Sequence, residues 1–196
     1  MRGVRRGLGL AALMLLSACA SDKAPAEQAV KAAETAVADA KAEGAKWVPD
    51  QARSLDAALA SVKDKFAKGE YKAVLAEAPA LATQAKSVAA AAAAKKAELS
   101  KSWEEMSAGL PKMIDAVKSR VDILSKSKKL PANVTKEKFE TAKADLAAAT
   151  QGWTDAMAAY SGGNVADAVA KANTVKQKTV EALEALGMPV PPAAKS

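Results

Sequence analysis

The chain has 196 residues, with 29 Lys+Arg against 22 Asp+Glu, no histidine and one cysteine. Half of it counts as hydrophobic, yet 51 residues are alanine and seven are aromatic, a supply that suits closely packed helices and argues against a β-sandwich, which needs β-branched and aromatic side chains. Lacking histidine, it has no access to the commonest general base, metal ligand and axial haem ligand.

In chain order, the first element is an address. Arg2, Arg5 and Arg6 form a positive segment, and Leu8 to Leu16 is apolar. That run is far short of the roughly 20 apolar residues of a membrane-spanning helix, so residues 1–18 read as a secretory signal. It closes on Leu16-Ser17-Ala18-Cys19, which resembles the lipobox of bacterial lipoproteins. The resemblance implies a diacylglycerol on the Cys19 thiol, cleavage just before it and acylation of the new N-terminus. Small residues at Ser17 and Ala18 suit ordinary signal cleavage as well. Double or triple acylation holds a protein to a membrane, whereas one chain binds only reversibly. It would also use the sole thiol, leaving no disulfide chemistry. In Gram-negative lipoproteins an aspartate after the cysteine retains the protein in the inner membrane. Ala20 stands there, so the resemblance implies the periplasmic face of the outer membrane, or the plasma membrane in a Gram-positive host.

Cleavage removes three arginines and no acids, taking the formal charge from +7 to +4. The remaining lysines interleave with Asp and Glu as on a solvated helix face, and arginine survives only at Arg53 and Arg120. Nucleic-acid surfaces favour arginine with stacking aromatics, so no nucleic-acid partner is expected.

Residues 19–25 read as a tether. Ala26 to Glu43 is an Ala-rich helix with Val30 and Val37 a heptad apart, stopped at Gly44. Ala45 to Pro49 connects it to a helix from Asp50, in which Ala52, Leu55, Leu59, Val62 and Phe66 are spaced 3, 4, 3, 4, a strong helical pattern. Lys68-Gly69 ends that helix. The next runs from Tyr71 to Ala108, with Pro79 expected to kink it and an alanine run at Ala89–Ala94. Gly109-Leu110-Pro111 predicts a stop and restart, leading into the apolar face Leu110, Met113, Ile114, Val117, Val121 and Leu124. A final pair spans Thr135–Tyr160 and Asn164–Leu186, with Asn164 as N-cap and Gly187 as stop. A Pro-rich disordered tail, 188–196, follows.

An internal repeat lies at an offset of 94: Gly69-Glu70-Tyr71 matches Gly163-Asn164-Val165, and Leu75-Ala76-Glu77-Ala78 matches Val169-Ala170-Lys171-Ala172. Each copy reads as an α-hairpin with an aromatic end, a glycine turn and an alanine-spaced return helix. Residues 26–98 are similar to an uncharacterised Ala-rich, tetratricopeptide-like domain of short bacterial lipoproteins. The shared features are the Ala-rich first helix, the Pro opening the second and the Lys-Gly-Glu-Tyr turn. The expected fold is therefore all-α, with antiparallel hairpins in an elongated bundle or short solenoid, divided into regions 26–108 and 109–187.

No catalytic, cofactor or metal site is expected. Ser125-Lys126-Ser127-Lys128 has the Ser-x-x-Lys spacing of penicillin-recognising enzymes, but Lys178-Thr179-Val180 lacks the glycine of their partner motif. Glu104 and Glu105 point to different helix faces. Trp47, Trp103 and Trp153 read either as core fillers or as the lining of a ligand cleft. The one expected modified residue is Cys19, joining the membrane through acyl chains, with an envelope protein as partner. The expected role is a non-enzymatic scaffold or interaction module. The alternatives are a carrier of an amphipathic ligand and a peptidoglycan-linked spacer. The spacer is weakened because Lys195 is penultimate rather than terminal.

Overall fold

A computed structural model describes residues 17–194. Residues 1–16, with most of the signal and Leu16, and Lys195 lie outside the described residues. The fold is all-α: helices α1 (Ser17–Trp47), α2 (Pro49–Ala67), α3 (Tyr71–Lys126), α4 (Lys136–Ser161) and α5 (Val165–Ala185), then a 3-10 turn at Pro192–Ala194. The chain divides between Lys96 and Ala97 into two compact units, each built on three helical segments because α3 contributes to both.

In the first unit, α1 buries Ala26, Val30, Ala33, Val37 and Ala40 in a 4, 3, 4, 3 spacing against Leu55 and Val62 of α2 and Val74, Ala78, Leu81, Ala85 and Val88 of α3. The ion pairs Lys63–Glu34 and Lys41–Asp56 run in opposite senses along the two chains, so α1 and α2 are antiparallel. The connection is a single residue, Val48, and Pro49 opens α2, where a missing N–H costs nothing.

The second unit repeats this arrangement. Adding 94 to the buried α3 positions Val74, Ala78, Leu81, Ala85 and Val88 gives Ala168, Ala172, Val175, Thr179 and Ala182 of α5, all buried. The same step takes Leu55 and Val62 to the buried Ala149 and Ala156 of α4. The α1 stripe recurs too, at an offset of 84, as Leu110, Ile114, Val117, Val121 and Leu124. The turns coincide: Gly69 and Gly163 have φ of 78° and 77°. In each, the residue after the glycine donates its N–H five residues back, Glu70 to Lys65 at 3.0 Å and Asn164 to Ala159 at 2.9 Å. This left-handed closure satisfies carbonyls that the helix end would leave bare, and glycine adopts it without a Cβ clash.

Alanine content explains the packing. Ala142, Ala149 and Ala156 of α4 and Ala168, Ala172 and Ala182 of α5 are fully or nearly fully buried, so these helices approach closely. Large side chains fill the remaining volume: Trp103, Leu110 and Ile114 at one end, with Phe139, Leu183 and Leu186 at the other. Thr135 and Asn164 cap α4 and α5, accepting from Lys138 N–H at 3.2 Å and Asp167 N–H at 3.3 Å.

Four expectations are corrected. Residues 19–25, read as a tether, are helical, because α1 begins at Ser17 and carries Pro25 inside it. Gly44 does not stop α1; the Cβ it lacks would approach Val88 Cγ1 to 3.3 Å, so its role is close packing. Gly109-Leu110-Pro111 does not break α3, so neither 108 nor 109 is a boundary. The penalties of one Gly and one Pro, about 1 and 3 kcal/mol, are met by burial of Leu110, Ile114, Val117, Val121 and Leu124 on one continuous face. The tail is not disordered throughout: Met188 and Val190 pack on the core beside Leu186, and Pro192–Ala194 form a turn.

Candidate functional site

Cys19, the expected acylation site, falls in the first turn of α1, seven residues before Ala26, the first core residue. No helix among the described residues is long and apolar enough to cross a membrane.

Trp47 and Trp103 are buried, and Trp153 packs partly buried against the second unit's core. Trp103 is 4% exposed and stacks against Trp153 at 5.5 Å and against Tyr160 at 4.5 Å, with interplanar angles of 12° and 11°. This places residues 50 or more apart in sequence in one aromatic stack, an arrangement that adds roughly 0.5–1.5 kcal/mol per pair beyond its buried area. Trp47 is buried in the first unit, where its indole N–H donates to Glu43 at 2.9 Å. Lys96 lies 3.6 Å from the same carboxylate. The indole hydrogen bond first, and Lys96 second, hold the Glu43 carboxyl below its usual range.

Ser125 and Lys128 are exposed, and α3 ends at Lys126, so Lys128 is off the helix. Thr179 is buried and donates its hydroxyl to the Val175 carbonyl at 2.7 Å. Among the described residues, no group of three or more Cys, Asp and Glu side chains could hold a metal ion.

What the second unit does have is an open cleft of about 820 Å³. One wall is a stripe of α3 containing Met106, Gly109, Leu110 and Met113; Lys176 of α5 lies opposite, and Pro191 of the tail stands at the edge. That stripe is apolar, and its thioether side chains conform to irregular shapes. Glu105 and Lys112 complete the rim. Glu105 already faces Lys101 at 3.9 Å, whereas Lys112 ends in no ion pair among the described residues. At the wall, the Cβ that Gly109 lacks would meet nothing within 4 Å. Gly109 reads locally as punctuation, but the cleft it borders is also lined by α5 and the returning tail, which no local pattern connects to it.

No protein-family model, no curated protein and no solved structure matches this chain.

Proposed function

We propose that this protein is a lipid-anchored, non-enzymatic scaffold or interaction module of the bacterial cell envelope. The observation that carries the reading is Cys19 placed directly after Leu16-Ser17-Ala18, behind a basic and then apolar leader. Acyl chains on that sulfur supply membrane attachment at about 0.8 kcal/mol per buried CH₂, without any spanning helix. Ala20 after the cysteine favours the outer membrane in a Gram-negative host, facing the periplasm. Because Cys19 stands seven residues ahead of Ala26 in the same helix, the core would lie only about 10 Å from the anchored residue at 1.5 Å per residue. The body would then work close to the bilayer.

The scaffold role is supported by repeated three-helix units whose outer faces carry interleaved Lys, Asp and Glu, a surface suited to another envelope protein. The tetratricopeptide-like resemblance of residues 26–98 supports the same reading. Crosslinking in intact cells followed by capture of the acylated protein tests it. A discrete envelope protein should be recovered, and it should disappear when Cys19→Ser releases the chain from the membrane. Recovery of the same partner set from an unanchored chain would contradict the anchored-scaffold reading.

A further inference from the structure

We propose that the cleft between α3, α5 and the tail binds a single-chain anionic amphiphile, an acyl chain ending in a carboxylate or phosphate. This site stands independently of whether Cys19 is acylated. Its volume of about 820 Å³ falls within the roughly 300–1,000 Å³ of small-molecule sites. The wall of Met106, Leu110 and Met113 offers apolar contact without a fixed shape, as an alkyl chain requires. The rim sets the sign of the head group. Lys112 stands at the opening with no ion pair among the described residues, while Glu105 has Lys101 beside it, so the uncompensated charge that Lys112 brings to the rim is positive.

Gly109 is the second, independent observation. Mid-helix glycine is unfavourable relative to alanine, and elsewhere in the chain Gly44 and Gly152 face side chains that a Cβ would crowd. Gly109 faces open space. No packing neighbour requires its small size, and a side chain there would project into the cleft that it borders. Its bareness keeps the cleft open.

The test uses the chain from position 19 onward with Cys19→Ser, which keeps every core residue because the first is Ala26 and carries no acyl chain of its own. Calorimetric titration with myristate, below its aggregation concentration, should give saturable binding of one molecule per chain. Tetradecyltrimethylammonium, with the same chain and the opposite head charge, should bind at least about fivefold more weakly, the scale expected of one charge contact near a protein surface. Gly109→Leu should abolish myristate binding while keeping or raising the thermal midpoint. Lys112→Glu should weaken myristate and strengthen the cationic amphiphile. Equal affinity for both head groups, undiminished binding in Gly109→Leu, or no saturable binding would each overturn the proposal.

Discussion

A Cβ built on Gly152 of α4 would lie 2.9 Å from Cγ2 of Val175 on α5. Val175 is buried and β-branched, so its side chain has no spare rotamer with which to retreat. These two residues set how near the two helices come. The equivalent pair in the first unit is Ala58 and Leu81, both bulkier than their counterparts in the second.

Gly152→Ala should therefore destabilise the protein by about 1–3 kcal/mol, an overpacking cost that outweighs the gain in helix propensity. Gly109→Ala, where nothing lies within 4 Å, should instead stabilise by about 0.5–1 kcal/mol. Urea unfolding of both variants checks the pair. Equal signs would show that helix propensity alone governs these sites.

Helix periodicity made most of the fold legible beforehand. The spacing of Leu55, Val62 and Phe66, the glycine turns at Gly69 and Gly163, and the cap at Asn164 are local signals, and each holds in the structure. What failed was local punctuation at Gly44, Gly109 and Pro111. A glycine or proline has a penalty of fixed size, whereas the opposing burial of Leu110, Ile114 and Val117 depends on helices distant in sequence. The Trp103–Trp153–Tyr160 stack and the cleft were illegible for the same reason. Both join residues that only the folded second unit brings together.

The first core offers a direct check on packing. Leu55 has no exposed surface and lies among residues of all three helices of its unit. Leu55→Ala should cost about 2–5 kcal/mol by denaturant unfolding. A cost below about 1 kcal/mol would mean that the small alanine neighbours collapse into the space left behind.

Acid should loosen the Trp47 corner only below the usual carboxylate range. The folded Glu43 carboxyl titrates below the 4.5 of a free glutamate, chiefly because the Trp47 indole donates to it and then because Lys96 is near. A depressed folded value means that the stabilisation is complete above the free value. It is lost as pH falls through the lower folded value. The NMR shift of the Trp47 indole N–H should therefore titrate with a midpoint below 4.5, and Glu43→Gln should remove that step. A midpoint at or above the free value would contradict the arrangement.

The ion pair between α4 and α5 should show strong coupling. Lys178 Nζ lies 3.1 Å from Asp145 Oδ1 and 2.7 Å from Glu181 Oε2. Asp145 is buried to 8% exposure, so Lys178→Met leaves a carboxylate poorly solvated and should lower stability. Adding Asp145→Leu should restore part of the loss. A double-mutant cycle by urea unfolding measures this coupling, and strict additivity would show that solvent already compensates Asp145.

The central claim is that Cys19 is the acylated first residue of the mature chain, and mass spectrometry of the N-terminal peptide from the native host tests it most directly. The predicted result is a peptide starting at Cys19 and heavier by a diacylglyceryl group, with a further acyl group on its amine where the host adds one. A free thiol at Cys19, or a mature chain beginning at any other residue, would contradict the account.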